Sequence, residues 1–321
     1  MKKKRFRLFI KVVAALVSFW AVFFLIQPFF VPKFIQYEAE STVFAHSFFA
    51  LPENSVDVLF FGSSEMYCAV DSDRLYSKYG VNAWNFGSAG QTMAVTPYYL
   101  YEALKTQSPQ TVAVEVGGIF YKNSDLDASE IAWNYAPMPL TKEKIASLEQ
   151  VLGSKTKAYL HAFFPLLVYH DRWRVLNHQG DSDAGFDIDY VFHPEKYDGL
   201  YPRGFSAYQN IHQQNYDFAH SDTALKEIPE ESRNAVDAIA EACRRQNIRL
   251  LFFRSPAVVW TRGESESVRR FMESRDLEFI DLNDRADELS LNGKTDFCDG
   301  KHVSLFGAVK VTDFLAKILS A

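Results

Sequence analysis

Short apolar runs recur in the first third of the chain, and each stops at a cluster of glycine, serine or threonine. A run of about four to eight apolar residues bounded by turn residues is typical of a strand buried on both faces of a parallel sheet. Three such runs predict strands at 58–61, 81–86 and 111–116. The segments between them, 71–79 and 96–106, have the composition of amphipathic helices.

The same alternation returns in the last third of the chain. Helices are predicted at 229–246, 264–274 and 304–319, and strands at 248–253 and 277–281. Strands that alternate with helices form a parallel sheet with right-handed crossover connections. The sequence therefore predicts an α/β fold built on one parallel sheet.

Residues 120–225 interrupt this alternation. They contain few strand-like runs and many aromatic residues, for example in 163–173, although 142–152 and 155–163 predict helices. We interpret this segment as an insertion at the edge of the sheet where the strands end. It is expected to act as a cap or lid rather than as a second domain.

The N-terminus combines a basic flank with a long apolar stretch. Lys and Arg dominate the first seven positions, and Lys11 is the one charged residue in the apolar stretch from Leu8 to Ile26. This length suits a membrane-spanning helix, and the basic flank predicts a cytoplasmic N-terminus with the rest of the chain exported. A cleaved signal peptide is the alternative. However, its apolar region would be unusually long, and bulky residues at 27–33 replace the small residues of a cleavage site.

These patterns predict three parts of the chain. Residues 1–32 are expected to form a cytoplasmic tail and an uncleaved anchor, and residues 33–55 a stalk. Residues 56–321 are expected to form the α/β domain, with the insertion at 120–225.

The charge of the exported part argues against nucleic acid as a partner. Six of the 34 Lys and Arg residues lie in the first eleven positions, which leaves 28 basic against 40 acidic side chains and a formal balance of −12. Affinity for nucleic acid depends on neutralising phosphates with basic side chains. No nucleic-acid partner is therefore expected.

The three cysteines are odd in number and lack the spacing of a zinc site. Cys68 follows the serine turn, and Cys298 directly precedes Asp299. A disulfide between them is one possibility in an oxidising compartment. Three unpaired, buried thiols, including Cys243, are the other. Neither a metal nor an organic cofactor is expected.

Nucleophilic chemistry is indicated by two distant turns. Ser63 and Ser64 follow the first predicted strand, at the edge where ligands of open α/β sheets bind. Asp299 and His302 share one loop before the last helix. A serine hydroxyl becomes a good nucleophile when a histidine takes its proton and a carboxylate fixes the histidine tautomer. Gly90, after the second strand, could offer a backbone N–H to the developing oxyanion.

Gly62-Ser63-Ser64, the segment 85–92 and Asp299-Gly-Lys-His302 resemble, in order and placement, three blocks of the SGNH (GDSL-like) hydrolase superfamily. The resemblance covers residues 56–119 and 245–319. It implies a three-layer, flavodoxin-like α/β sandwich. It also implies that Ser64 is the nucleophile, His302 the base and Asp299 its orienting acid, with oxyanion donors at Ser64 and Gly90. The register of the turn leaves Ser63 as an alternative nucleophile.

One block of that family departs from the pattern. The family has Gly-x-Asn-Asp, whose Asn donates to the oxyanion, where this chain has Gly117-Gly-Ile-Phe120. Loss of one such donor costs about a hundredfold or more in rate. The N–H of Gly118 and the side chains of Asn85 and Asn123 are the candidate substitutes.

Two charged residues lie near the predicted site. Glu65 follows Ser64 and is expected to complement the dipole of the helix that begins there. Arg254 follows the strand at 248–253, where it could either meet an anionic acceptor or remain solvated.

The anchor, the Gly-Ser-Ser block and the missing Asn together resemble bacterial single-pass members that act beside membrane-bound O-acyltransferases. Those proteins serve polysaccharide O-acetylation or teichoic acid D-alanylation. The resemblance implies extracytoplasmic, serine-dependent acyl transfer or ester hydrolysis on a cell-surface glycan or polymer. We expect transfer to dominate, because the aromatic insertion would shield an acyl-serine from water. The alternative is a non-catalytic accessory protein that binds a polymer or docks a membrane-bound acyltransferase.

Overall fold

Five parallel strands form one sheet at the centre of the computed structural model, which describes residues 2–35, 40–174, 188–197, 199–208 and 210–319. The strands are β1 Val58–Phe61, β2 Ala83–Asn85, β3 Thr111–Glu115, β4 Arg249–Arg254 and β5 Glu278–Asp281. Their order across the sheet is β2-β1-β3-β4-β5. This is the flavodoxin-like order of doubly wound α/β sheets.

The helices in the first half of the chain are α1 Lys2–Phe30, α2 Ser41–Phe49, α3 Ser64–Tyr67, α4 Ser72–Tyr79, α5 Thr96–Ala103, α6 Ala128–Tyr135 and α7 Lys142–Leu152. The second half adds α8 Lys155–Phe163, α9 Pro165–Val168, α10 Ile188–Phe192, α11 Glu230–Arg245, α12 Arg262–Glu273 and α13 Leu305–Leu319. The elements predicted from sequence lie within a few residues of these bounds. β2 is shorter than predicted, because only 83–85 pair with β1.

Local capping explains why α4 begins and ends where it does. The side chain of Asp71 accepts a hydrogen bond of 2.8 Å from the backbone N–H of Arg74. Gly80 ends the helix with a φ of +70°, a conformation that glycine adopts without strain. α7 uses the same pair of signals, with Thr141 as its N-cap and Gly153 after its last residue.

Both faces of the sheet are covered, which makes the fold three-layered. Leu59 and Phe61 of β1 point to one side, where they join apolar residues of α5, α7, α11 and α12. Val58 and Phe60 point to the other side and pack with residues of α4 and α13. Strands buried on both faces read as continuous apolar runs. The expected α/β architecture is therefore confirmed.

The segment expected to be a stalk contains a helix of the core. Phe48 of α2 is fully buried and stacks on Phe86, with ring centroids 3.9 Å apart and planes within 8°. Phe44 packs edge-on against Tyr67 at 4.9 Å. The free energy gained by burying these aromatic rings favours a packed helix over an extended, solvated linker. The predicted boundary at residue 55 is therefore wrong, and α2 belongs to the α/β domain.

α1 stands apart from this core. It is a 29-residue helix whose apolar side chains are largely exposed. Its length and composition make it a candidate for a single membrane span, and a signal sequence would show the same two properties.

Glu40, just before α2, is expected to make the stability of the protein depend on pH. Its side chain is only 8% exposed and accepts a hydrogen bond from Ser206. Burial raises the pKa of Glu40 to about 7, although hydrogen bonds from Ser206 and Tyr67 act in the opposite direction. Because the folded-state pKa is raised, the stability that Glu40 contributes is fully present below its ordinary pKa. It is lost as the pH rises through about 7.

We therefore expect Glu40→Gln to be more stable than the wild-type protein above neutral pH. The difference in unfolding free energy should grow by about 2 kcal/mol between pH 5 and pH 8 and then level off. Denaturant titrations across this range measure it, with the exposed Glu53→Gln as the control. A difference that does not change with pH would contradict the prediction.

Candidate active site

Three glycine turns meet at the carboxyl edge of the sheet. A Cβ on Gly87 would lie 2.1 Å from the carbonyl oxygen of Gly62, so the turns after β1 and β2 are in direct contact. A Cβ on Gly118 would lie 2.8 Å from the carbonyl oxygen of Gln91, so the turn after β3 also packs here. Glycine is needed at Gly87 and Gly118 because two backbones approach too closely for a side chain.

The structure brings Ser64 and His302 together from opposite ends of the chain. The Oγ of Ser64 lies 2.7 Å from the Nε2 of His302. Ser63 is instead the N-cap of α3, since its hydroxyl accepts a 3.3 Å hydrogen bond from the backbone N–H of Glu65. Of the two candidate serines, Ser64 is therefore the one in contact with the histidine.

Asp299 holds the other side of the histidine ring. The Nδ1 of His302 lies 2.8 Å from Oδ2 of Asp299. The Oδ1 atom accepts the backbone N–H groups of Lys301 and His302 at 2.7 and 2.8 Å. Partial burial alone would raise the pKa of Asp299, but these hydrogen bonds hold it well below its usual range. The group is therefore a carboxylate throughout the neutral range.

This geometry prepares the histidine to take a proton from the serine. A carboxylate at Nδ1 favours the tautomer that carries its proton there, which leaves the lone pair of Nε2 directed at the Ser64 hydroxyl. The side chain of His302 is only 14% exposed, and the ring of Tyr208 lies 5.0 Å from it. Tyr208 comes from the insertion, and no local pattern in the sequence indicated its position.

Backbone N–H groups in the turns after β1 and β2 are available for an oxyanion. Among the described residues, the N–H groups of Ser64 and Gly90 have no hydrogen-bond acceptor. Gly90 has a φ of +61°, and a Cβ there would lie 3.0 Å from the side chain of Glu130. Both features favour glycine at this position, in the turn after β2.

Of the candidate substitutes for the missing asparagine, Asn85 has other contacts. Asn85 is fully buried, its Nδ2 donates to the carbonyl of Val70, and its Oδ1 accepts from Ser72. It is a structural residue, and the oxyanion role suggested for it is wrong. Gly118 packs on the turn after β2, but no hydrogen-bond acceptor faces its N–H among the described residues, so its role as a donor stays a prediction. The backbone N–H of Asn123 donates to Glu231, and the role suggested for its side chain also stays a prediction.

A buried ion cluster lies directly behind the nucleophile turn. The guanidinium of Arg254 is 2.5 Å from Glu65 and 2.6 Å from Glu115, and all three side chains are almost completely buried. Glu115 also accepts the backbone N–H of Gly117 at 2.8 Å. Burial and the charge of Glu65 raise the pKa of Glu115, while Arg254 acts against them.

The two expectations for Arg254, a solvated side chain or one that meets an anionic acceptor, are therefore wrong. Glu65 does more than complement a helix dipole, because it ties the residue after Ser64 to β4 through Arg254. The sequence contained one signal of this cluster, because a charged residue lies at the end of β3, another at the end of β4 and a third in the turn after β1.

The aromatic run at 163–173 does not roof the site as expected. Phe164 packs against Trp20 and Phe23 of α1, because the apolar side of α1 offers it a surface to bury. The insertion reaches the site near its two ends instead. Tyr208 packs against His302, and the hydroxyl of Tyr121 accepts a 2.8 Å hydrogen bond from Lys301.

All three cysteines are free and buried, so the disulfide between Cys68 and Cys298 is not formed. The thiol of Cys298 lies 3.5 Å from the carbonyl oxygen of Tyr208. In the described part of the chain, no group of three or more His, Cys, Asp or Glu side chains is positioned to hold a metal ion.

No known family profile and no curated protein matches this sequence. Solved structures to which this chain is similar include a proposed acylhydrolase of Bacteroides fragilis, with 11% identity and a TM-score of 0.40 over 86% of this chain and 94% of that one. They also include a GDSL-like lipase of Bacteroides thetaiotaomicron, with 10% identity and a TM-score of 0.39 over 87% of this chain and 97% of that one. The contacts of Ser64, His302 and Asp299 therefore carry the functional assignment.

Proposed function

We propose that the protein is an SGNH-type serine acyltransferase or esterase with Ser64 as its nucleophile, His302 as its base and Asp299 as the orienting acid. The observation that carries this proposal is the unbroken hydrogen-bonded path from Ser64 Oγ through the His302 ring to Asp299. A capped turn and a surface histidine would not need three side chains aligned in this way.

The reaction follows from these contacts. Ser64 Oγ attacks the acyl carbonyl while His302 Nε2 takes the hydroxyl proton, and Asp299 stabilises the imidazolium that forms. The tetrahedral intermediate collapses, and the leaving alcohol takes the proton from His302. An acyl-serine remains. His302 then accepts a proton from an acceptor hydroxyl or from water, which attacks the acyl-serine. As this second tetrahedral intermediate collapses, the bond to Ser64 Oγ breaks and His302 returns the proton to that oxygen.

The oxyanion would lack the block-three side-chain amide that the SGNH superfamily uses. The N–H groups of Ser64 and Gly90 would face it, and the amide of Asn85 donates to Val70 instead. The carboxylate of Glu130 beside Gly90 further weakens the positive potential at this point. We therefore infer slow turnover of simple esters.

The proposed setting is the outer face of a cell membrane. α1 would anchor the chain with its basic end in the cytoplasm, so that the α/β domain acts outside. The acceptor would be a hydroxyl of a cell-surface glycan or polymer. A membrane-bound O-acyltransferase is the proposed partner that supplies the acyl group.

Covalent labelling of the nucleophile tests the assignment. A fluorophosphonate should label the wild-type protein at Ser64, as mass spectrometry of the labelled peptide would show, and should not label Ser64→Ala. Ser63→Ala should still be labelled, because its hydroxyl caps α3 rather than contacting His302. Absence of any adduct in a folded protein would favour the non-catalytic accessory protein.

The partition between acyl transfer and hydrolysis depends on how well the site is shielded, and Tyr208 is the aromatic residue that covers His302. We expect Tyr208→Ala to raise the hydrolysed share of product severalfold when a glycan acceptor is present, because water gains access to the acyl-serine. Product analysis by mass spectrometry measures this ratio. Tyr101→Ala, on the surface of α5, is the control. An unchanged ratio in Tyr208→Ala would rule out shielding by this ring.

A further inference from the structure

An apolar helical hairpin projects from the insertion next to α1. We call residues 158–169 the aromatic hairpin; it comprises most of α8, all of α9 and the turn at Phe164-Pro165. His161 is its only polar side chain apart from the tyrosine hydroxyls. Charged residues flank it on both sides, with Lys155 and Lys157 before it and Asp171 and Arg172 after it.

The hairpin is not part of the protein core. In α8 only Ala158 is buried, and Tyr159, Leu160 and Leu167 are between 39% and 53% exposed. Nearby, Trp173 and Phe192 are both 62% exposed. An apolar stretch of about 10–14 residues is usually either a core helix or a segment that lies in a membrane interface. The exposure of these side chains excludes the first.

Contacts along α1 give the position of the hairpin relative to a membrane. Phe192 packs against Phe29 near the end of α1, with ring centroids 5.8 Å apart. Phe164, at the tip of the hairpin, packs against Phe23 at 6.2 Å and Trp20 at 6.4 Å. With a rise of 1.5 Å per residue, Phe23 and Trp20 lie about 10 and 15 Å from the end of α1. The tip therefore descends to a depth comparable to one leaflet of a hydrocarbon core about 30 Å thick.

The backbone of the hairpin meets the main requirement for contact with lipid. The N–H of Phe164 donates to Leu160, that of Val168 to Phe164 and that of Tyr169 to Pro165, at 2.8 to 3.3 Å. Pro165 has no N–H to satisfy. These three backbone donors at the turn are thus paired within the hairpin, as the absence of water in a bilayer demands.

A pair of basic side chains lies where lipid headgroups would be. Lys33 follows the end of α1, and its ammonium donates to the carbonyls of Pro28 and Val31. Burial and the nearby charge of Arg172 lower the pKa of Lys33 to about 8. Lys33 is thus engaged by the protein itself, whereas Arg172 lies in the 3-10 turn that packs on α1 and is the cation at the level of the phosphates of anionic lipids.

We propose that the aromatic hairpin inserts into the outer leaflet of the bilayer beside α1 and forms a second contact of this protein with the membrane. The proposal rests on the membrane anchor in the proposed function. Two contacts, one spanning and one half-immersed, would fix the orientation of the α/β domain as well as its distance from the lipid. The site at Ser64 would then act on acceptors held close to the membrane surface.

Lipid quenching of a fluorescent label tests this proposal on the full-length chain. Because the three native cysteines are buried, single variants Leu167→Cys, Val22→Cys and Leu225→Cys can carry an environment-sensitive nitrobenzoxadiazole label. The labelled proteins are reconstituted into nanodiscs of phosphatidylethanolamine and phosphatidylglycerol, with and without spin-labelled lipid. Val22 lies on α1, and Leu225 is an equally exposed leucine outside the hairpin.

We expect the labels at positions 22 and 167 to emit at shorter wavelength and to be quenched at least about twofold by the spin-labelled lipid, whereas the label at 225 behaves as in water. A second variant, Leu160→Cys, should repeat the result for 167. Quenching at 22 without quenching at 167 and 160 would overturn the hairpin proposal while the anchor stands. Lack of quenching at 22 would overturn both. Fluorophosphonate labelling of Ser64 in the same samples tests the catalytic assignment separately.

Discussion

Replacing Ser64 with alanine is expected to lower the turnover of a short-chain aryl ester at least about a thousandfold. The variant loses the atom that attacks the acyl carbonyl, and the histidine and aspartate that remain cannot form an acyl-enzyme. Only binding and the backbone N–H donors would still act on the transition state. Initial-rate kinetics measured with and without a glycan acceptor give the effect, and both hydrolysis and transfer should fall together.

Ser63→Ala is the matched control for this experiment. It removes the neighbouring hydroxyl, which caps α3 by accepting the N–H of Glu65. Loss of such a cap costs about 0.5–2 kcal/mol of stability, so a lower melting temperature is expected with a loss of rate below about tenfold. Equal losses of activity in the two variants would contradict the assignment of Ser64. Full activity of Ser64→Ala would show that the chemistry lies elsewhere.

The second large effect concerns stability, and it is expected for Arg254→Met. Removing the guanidinium leaves the carboxylates of Glu65 and Glu115 buried without their cation. Removing one partner of a buried ion pair costs about 3–5 kcal/mol because the remaining charge is uncompensated. We expect the melting temperature to fall by roughly 5–10 °C, as calorimetry or thermal circular dichroism would show.

Arg245→Met is the matched control for Arg254→Met. Arg245 forms a 2.7 Å ion pair with Glu241 on the exposed surface of α11. Such pairs contribute at most about 1 kcal/mol, so this variant should unfold close to the wild-type temperature. A loss as small for Arg254→Met as for Arg245→Met would mean that the buried cluster contributes little to the fold.

The cluster also connects stability with the geometry of the site. Glu65 directly follows Ser64, and Arg254 ties it to the end of β4. Glu115 ends β3 and holds the N–H of Gly117 in the next turn. The turns after β1 and β3 are thus attached to one cation. Glu65→Gln should therefore lower activity more than its modest loss of stability explains.

Much of the sheet could be predicted from sequence because strands buried on both faces have a recognisable local sequence pattern. Each of them reads as an apolar run that stops at a turn, and β1, β3 and β4 lie where these runs predict them. Helix bounds could be predicted nearly as well, since capping residues such as Thr141 and Gly153 interact only with the adjacent turn of the helix.

The candidate triad could also be proposed from sequence, for a topological reason. Ser64 follows β1, and the loop that carries His302 lies between β5 and α13, so both belong to strand-to-helix connections, which lie at the carboxyl edge of a parallel sheet. Residues so placed converge wherever they lie in the chain. The choice between Ser63 and Ser64 required the structure, because a shift of one residue decides which hydroxyl faces the histidine and which caps α3.

What only the tertiary structure decided depends on partners that are distant in the chain. α2 was expected to be part of a stalk because a segment of nine residues is too short to indicate a core helix from sequence. The residue that buries Phe48 is Phe86, which is distant in the chain. The side chain of Arg254 forms ion pairs with Glu65 and Glu115, which are both distant in the chain. The aromatic run around Phe164 was expected over the active site and packs on α1 instead. In each case the sequence determined that a side chain had surface or charge to satisfy, and only the folded chain could determine which of several chemically equivalent partners came within reach.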